Sequence, residues 1–252
     1  MPTFDNLLHQ PLLFGLLLLA AFIVGMSKGG LSTLGMLAVP ILSIFMSPLL
    51  AAVLLLPIYI LSDVVGVYLY RHEFSRENIK LLIPAGLCGV VLGWATASIV
   101  SDQVVSLLIG MMGVTFCLYS WFVKKADAPV SQPSLGKGMF WGTLTGFTSF
   151  ITHAGGPPFQ IYVLPQKLPK MVFAGTVTVV FAVINMAKVI PYYSLHPQTM
   201  DTFKVALVLL PAAAIGTAAG RFITERLPTK WFFRFVQVAL FLVSVRLVWA
   251  SF

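Results

Sequence analysis

The sequence predicts an all-α polytopic membrane protein with about ten membrane segments, arranged as two inverted five-segment repeats with broken or short helices. Three observations lead to this fold class. Of the 252 residues, 58% are hydrophobic and only 10% are charged, whereas a soluble domain has about 25% charged residues. The apolar stretches are continuous rather than alternating, which favours helical spans over a β-barrel. Finally, the two halves of the chain carry matching motifs in the same order.

Ten apolar segments follow one another with short loops, and a helical span needs about 20 apolar residues. The segments cover about residues 8–26, 30–47, 48–70, 79–100, 103–123, 138–153, 157–166, 170–193, 199–221 and 229–250. The long polar break KKADAPVSQPSLG divides the chain into a first repeat (1–123), a cytoplasmic linker (124–136) and a second, inverted repeat (137–252). Whether the short segments cross the membrane or re-enter it is left open.

Basic residues are divided unequally between the two sides of these segments. Those in or beside alternate loops make up 12 of the 16 Lys and Arg residues: Lys28, Arg71, Arg76, Lys80, Lys124, Lys125, Lys137, Lys167, Lys170, Arg221, Arg226 and Lys230. The opposite loops hold essentially one, Lys204. Because cytoplasmic loops carry the excess of Lys and Arg, both termini are predicted to lie outside. The net charge of +8 therefore reflects membrane orientation, and no nucleic-acid partner is expected.

The two halves match at ordered positions. At a spacing of 127 residues, Pro84, Ala85, Gly89 and Gly93 correspond to Pro211, Ala212, Gly216 and Gly220. Gly29-Gly30 corresponds to Gly155-Gly156 at 126, and Asp63 corresponds to Asn185 at 122. With five segments in each half, the second half must be upside down relative to the first. Inverted repeats of this kind are characteristic of secondary transporters.

Short Gly/Pro-interrupted segments in matching positions are the sequence feature that points to a transporter site. Segment seven has only about ten residues, or about 15 Å of helix, which is too short to cross the hydrocarbon. A Gly-Gly break followed by a new helix exposes backbone N–H groups that suit an anion. The predicted substrate-binding residues are Ser27, Lys28, Gly29, Gly30, Ser32, Thr33, Thr152, His153, Gly155, Gly156, Pro157, Gln160, Asn185 and Lys188.

Each of these assignments has an alternative that the residues leave open. The paired glycines also suit close helix packing, and Lys28 and Lys188 also suit snorkelling to the membrane surface. His153 is either a hydrogen-bonded core residue or a proton-sensitive donor to the anion. A carboxylate within a span is a functional candidate, so Asp63 either carries a coupled proton or forms an ion pair with Lys188. Asp63 and His153 are the coupling candidates.

The motifs GMSKGGLSTLGMLAVP and ITHAGGPPFQIYVLP resemble those of the TauE/SafE (TSUP, sulfite exporter) family of membrane transporters. The resemblance extends over nearly the whole chain. It implies export of small sulfur-containing anions such as sulfite, sulfoacetate or other organosulfonates across the bacterial inner membrane. The motif positions that carry it are Gly29, Gly30, Pro40, Gly155, Gly156, Pro157 and Pro165.

The sequence carries no pattern that indicates catalysis or a cofactor. It has no P-loop, HExxH or GxSxG pattern, and Cys88 and Cys117 have no metal-ligand spacing. We therefore expect no enzyme activity, no cofactor and no metal. The expected partners are a small anion, the lipid bilayer and a coupling H⁺ or Na⁺; a homodimer is left open. The alternatives are a non-transporting membrane scaffold and a membrane-embedded enzyme.

Overall fold

The computed structural model describes residues 11–42, 48–97, 101–123, 130–195 and 200–251. Within these ranges every regular element is a helix. The start of the predicted linker, 124–129, and the side chains of Thr33, Pro40 and Thr152 lie outside the described part of the chain.

The first half contains four longer helices and a short broken segment. Its elements are α1 (Pro11–Lys28), a 3-10 helix (Ser32–Leu37), α2 (Ala38–Leu42), α3 (Pro48–Leu69), α4 (Arg76–Thr96) and α5 (Asp102–Leu118), which continues into a π-helical turn (Tyr119–Val123). Helix α4 begins after Ser75, whose hydroxyl accepts a hydrogen bond from the Asn78 N–H at 3.3 Å. This is the N-cap bond that Ser favours.

The second half has a similar order of elements. They are α6 (Leu135–Thr152), α7 (Gly156–Val163) with a 3-10 turn (Leu164–Gln166), α8 (Lys170–Ala187), α9 (Val189–Leu195), α10 (Met200–Arg226) and α11 (Thr229–Trp249). Helix α7 has only 8 residues, so segment seven is as short as the sequence predicts. Segment six differs from the prediction, because α6 starts three residues earlier and is an uninterrupted helix of 18 residues.

Five helical stretches in the described ranges are long and apolar enough to cross a membrane: Pro11–Lys28, Arg76–Thr96, Lys170–Ser194, Lys204–Arg226 and Thr229–Trp249. The third of them contains both α8 and most of α9. Leu54–Leu69 is apolar but shorter. Large apolar side chains such as Ile190, Leu207 and Trp249 are exposed, whereas Lys28 and Lys188 are buried. This inversion of the usual pattern of a soluble protein confirms a helical multi-pass membrane protein. The number of ten segments stays a prediction.

The breaks after α1 and after α6 each contain a residue with positive φ. Gly30 follows α1 with φ of 118°, and His153 ends α6 in the left-handed region with φ of 54° and ψ of 19°. A left-handed residue after the last helical turn is a common way to end a helix. Both breaks lead at once into the short segments that begin at Ser32 and Gly156.

Helices pack in pairs that join the two halves. Helix α1 packs on α10, α4 on α6, α3 on α8 and α5 on α11. Glycines allow the closest approaches: a Cβ at Gly25 would collide with the backbone of Ala213, and one at Gly89 would collide with the backbone of Thr143. Small residues at such crossings let helix backbones approach closely in membranes. The packing therefore holds the broken segments between the two halves.

Candidate functional site

The two helix breaks and the junction of α8 with α9 meet around a cavity of about 40 Å³. On this measure one water needs about 10–15 Å³, so the cavity accommodates a few waters or the charged group of a small anion. The predicted site residues that line it are Ser27, Lys28, Ser32, His153, Gly156, Gln160, Asn185 and Lys188. The structure thus brings residues from both halves of the chain to one place.

Asp63 on α3 lies beside this cavity, and its carboxylate binds one side chain from each half of the chain. Lys28 Nζ lies 2.7 Å from Asp63 Oδ1 in an ion pair whose side chains are 6% and 5% exposed. Asn185 Nδ2 donates to Asp63 Oδ2 at 2.8 Å. Lys28 is the last residue of α1, where a positive charge is favourable. The ion-pair partner of Asp63 is therefore Lys28, and neither lysine snorkels to the membrane surface.

Lys188 is completely buried and lies at the break between α8 and α9. Its Nζ donates to Ser149 Oγ at 2.7 Å and to Asn185 Oδ1 at 3.2 Å. Both acceptors are neutral, so in the described part of the chain no carboxylate forms an ion pair with this ammonium group. A buried charge is costly unless an opposite charge neutralises it. An anion in the cavity would supply that charge.

His153 forms part of the wall through its ring. Its Nε2 lies 2.9 Å from Tyr192 Oη, and the Tyr192 hydroxyl donates to Phe150 O at 2.7 Å. Because that hydroxyl proton is directed to Phe150, Nε2 carries a hydrogen and donates to Tyr192. The imidazole also stacks on Tyr59, with ring centroids 5.7 Å apart and planes 16° apart. The structure thus holds His153 as a hydrogen-bonded wall residue.

The sequence predicts that both glycine pairs bind the anion, but in the structure they do not face each other across the cavity. Gly29 and Gly30 pack against α10 instead: a Cβ at Gly29 would meet backbone atoms of Thr217, Gly220 and Arg221. A Cβ at Gly155 would meet Phe181, Ser149 and Thr145. Gly156 alone of the four lines the cavity. Close contact with the α10 backbone is thus the physical reason for Gly29, and the positive φ of 118° is the reason for Gly30.

The start of α7 also offers fewer backbone donors than predicted. Pro157 and Pro158 occupy its first turn and have no N–H. The Phe159 N–H bonds to Gly155 O at 3.4 Å. The Gly156 N–H therefore remains the main backbone donor of the first turn that can face the cavity. Buried ammonium groups, not a ring of amides, provide most of the positive charge.

Several lining residues have no signal of their own in the sequence. Met36, Tyr59, Thr178 and Phe181 line the cavity, and Lys28 Nζ lies 5.2 Å from the Tyr59 ring centroid and 5.9 Å from that of Phe181. These residue types are common in helical cores. A repeat comparison extended from Asp63 and Asn185 would have found two of them, since Phe181 follows Tyr59 by the same 122 positions.

Metal ligation has no support in the described ranges, where no group of three or more His, Cys, Asp or Glu side chains could hold a metal ion. Arg221 forms ion pairs with Glu73 and Glu225, and none of these three residues lines the cavity. It lies beside Tyr70, whose ring is 4.4 Å from the Arg221 guanidinium.

The fold and this cavity define a multi-pass helical membrane protein with a small, positively charged internal site. The chain matches the sequence profile of the sulfite exporter TauE/SafE family over residues 17–247. It belongs to this family, as the paired glycine-rich motifs predict. No curated protein and no solved structure shows significant similarity to the chain.

Proposed function

We propose that the protein is a secondary transporter that exports small sulfur-containing anions, such as sulfite, sulfoacetate or other organosulfonates, across the bacterial inner membrane. Membership of a family described as sulfite exporters supports this function. The observation that carries it is Lys188, a fully buried ammonium group that lines the cavity and, among the residues that the structure describes, donates only to neutral oxygens. A transported anion would neutralise it.

We further propose that the two halves, 1–123 and 137–252 with the linker 124–136 between them, are inverted repeats. Equivalent contacts in the two halves support this. The Tyr70 hydroxyl donates to Gly29 O at 2.5 Å, and the Tyr192 hydroxyl donates to Phe150 O at 2.7 Å. Tyr192 follows Tyr70 by 122 positions and Phe150 follows Gly29 by 121. In this register the end of α1 matches the end of α6, so Gly29 matches Phe150 and not Gly155 as the motifs suggest. The two hydrogen bonds then occupy equivalent places in the repeats.

The helix crossings repeat in the same register. A Cβ at Gly89 would meet backbone atoms of Thr143 and Phe147, and one at Gly216 would meet backbone atoms of Phe22 and Met26. Gly216 follows Gly89 by 127 positions, while the α6 residues follow their α1 counterparts by 121. A two-fold axis that exchanges α1 with α6 and α4 with α10 would produce this pattern.

The Asp63–Asn185 hydrogen bond then lies on that axis. These residues are equivalent in the two repeats, 122 positions apart, and they contact each other at 2.8 Å. Equivalent residues touch only beside a two-fold axis, as in a symmetric interface. In an inverted-repeat transporter the axis lies in the membrane plane and the substrate site lies near the midplane. The cavity beside Asp63 would therefore be reached alternately from the two sides.

The charge of the anion decides the direction of transport and whether a coupling ion is needed. A membrane potential that is negative inside favours outward movement of an anion by about 2.3 kcal/mol per charge and 100 mV. Export needs no further energy source, whereas uptake would need coupled H⁺ or Na⁺. Asp63 and His153 remain the candidates for carrying a coupled proton.

For the orientation in the membrane, we still propose that both termini lie outside. Lys28 no longer counts among the loop residues that support this, because it is buried.

Flux of labelled sulfite in proteoliposomes tests the proposal. Lys188→Met should reduce flux by at least about tenfold, because a charge-assisted hydrogen bond contributes on the order of 1.5–3 kcal/mol. Lys80→Met is the matched control, since Lys80 is exposed. Normal flux in the Lys188 variant, with insertion verified, would show that the site lies elsewhere.

A further inference from the structure

The charged groups at the cavity do not balance. Lys28 and Asp63 form an ion pair 2.7 Å long, so their charges cancel. Within the described ranges, Lys188 donates only to neutral acceptors. Among the described lining residues, His153 is the other group that can carry charge, and two neighbouring ammonium groups oppose a third positive charge there. The site therefore carries one positive charge in surplus.

The repeat explains where this surplus comes from. Lys28 packs against Gly66, whose added Cβ would lie 3.2 Å from Lys28 Cβ, and Lys188 contacts Ser149. Lys188 follows Gly66 by 122 positions, and Ser149 follows Lys28 by 121. Each half thus contributes one ammonium group at an equivalent place. In the first half the lysine belongs to α1 and faces α3, whereas in the second half it lies at the end of α8 and faces α6.

The two ammonium groups face different partners on the axis. The first half provides a carboxylate, Asp63, where the second half provides an amide, Asn185. The amide donates to Asp63 Oδ2 and accepts from Lys188. The two lysines therefore share a single carboxylate, since a neutral amide stands where a symmetric site would have a second carboxylate.

Resting on the proposed function, we infer that the site selects monovalent over divalent anions. A monoanion makes the buried cluster neutral, whereas a dianion leaves one negative charge without a partner where the dielectric is low. The cavity of about 40 Å³ leaves little room for water to stabilise that extra charge. Sulfonates and hydrogensulfite thus fit the site better than sulfate does.

Methanesulfonate and sulfate are a matched pair for this test, because both are tetrahedral sulfur oxyanions of similar size that differ by one charge. Each would compete with labelled sulfite for flux in proteoliposomes at constant pH. We expect methanesulfonate to compete at least about tenfold better than sulfate. Equal competition, or better competition by sulfate, overturns this inference and leaves the proposed function intact. Absence of sulfite flux in the natural protein overturns the proposed function and this inference with it.

Charge-changing variants separate charge from shape. Asp63→Asn raises the surplus to two positive charges and should shift competition toward sulfate by at least about tenfold. The Lys28→Met/Asp63→Asn double variant returns the surplus to one and should restore the preference for methanesulfonate. If the double variant keeps the preference of Asp63→Asn, the surplus charge does not set selectivity.

Gln103→Glu adds a negative charge at an exposed position and is the control for a charge change away from the cavity. It should leave the competition of both anions unchanged. A shift as large as that of Asp63→Asn would show that the charge at the cavity does not set selectivity.

Discussion

Lys28 and Asp63 are the two residues whose separate removal should most affect stability. Their ion pair is almost completely buried, and removal of one partner from such a pair leaves an uncompensated charge that costs on the order of 3–5 kcal/mol. We expect Lys28→Met to lower the thermal unfolding midpoint in detergent clearly. The Lys28→Met/Asp63→Asn double variant should recover most of the loss. Equal midpoints for the single and double variants would contradict a buried ion pair.

At the residue scale, much of the candidate site follows from the sequence. Polar residues beside predicted helix breaks are rare in an apolar chain, and this points to Lys28 and His153. Lys188 stands out for another reason, because it shares one helical face of an apolar segment with Asn185. The pairing was not predictable, because Asp63 precedes Lys188 by 125 positions and follows Lys28 by 35, and either lysine suits a carboxylate. Only the packing of α1 against α3 decides for Lys28.

At the element scale, the glycines at the helix crossings should tolerate no larger side chain. A Cβ at Gly89 would meet the Thr143 backbone, which cannot move without the whole of α6. Gly89→Ala should therefore reduce the yield of folded protein and its thermal midpoint. Gly136→Ala is the control, because no atom lies within 4 Å of its added Cβ. Similar stability of the two variants would rule out this close crossing.

Gly142 and Gly156 differ in what an added Cβ would meet. At Gly142 the Cβ would lie 2.6 Å from Ala85 Cβ, so a substitution there disturbs the packing of α4 on α6. At Gly156 the nearest atom is the flexible Met36 Sδ at 2.7 Å. Gly156→Ala should therefore keep the fold and narrow the cavity, with reduced sulfite flux at an unchanged thermal midpoint. An unfolded Gly156→Ala variant would contradict this.

The two tyrosine hydrogen bonds tie the helix breaks to α3 and α9. Loss of either hydroxyl leaves a buried carbonyl without its donor, which costs about 1–3 kcal/mol. Tyr70→Phe and Tyr192→Phe should both lower the thermal midpoint if the bonds are equivalent in the two repeats. The loss should be larger for Tyr192→Phe, because the Tyr192 hydroxyl also contacts His153 Nε2. A large effect of one and no effect of the other would contradict the equivalence.

The break at Lys188 had a visible cause in the sequence. Pro191 cannot donate to the carbonyl four residues earlier, and its ring clashes with that carbonyl. That carbonyl belongs to Ala187, which is the last residue of α8. The sequence analysis nevertheless predicts one continuous segment over 170–193, whereas α8 ends at Ala187. Pro84 and Pro211, by contrast, lie within helices α4 and α10 without ending them. Proline alone therefore does not distinguish a kink from a break.

For the whole molecule, orientation can be tested with single cysteines in a background that lacks Cys88 and Cys117. Val130 is 47% exposed and lies in the predicted cytoplasmic linker, so Val130→Cys should react only when the inner side is accessible. Ser101→Cys, at an exposed position on the predicted outer side, should react in intact cells. The reverse pattern would overturn an orientation with both termini outside.

Composition and motif order sufficed to predict a helical membrane protein of this family, because both depend on chain-wide patterns. The role of the glycines did not follow, since Gly29 has the same neighbours in sequence whether it binds an anion or contacts Thr217. The distinction depends on which helix crosses there. Long-range packing therefore sets the limit of what the sequence alone predicts.

The central claim is that a small anion binds beside Lys188. A structure determined with selenite, whose selenium gives an anomalous signal, would locate the anion directly. We expect the selenium site in the cavity, with an oxygen about 2.7–2.9 Å from Lys188 Nζ, and its loss in Lys188→Met. Selenite bound only at another place, such as beside Arg221, with water alone in the cavity, would contradict the claim.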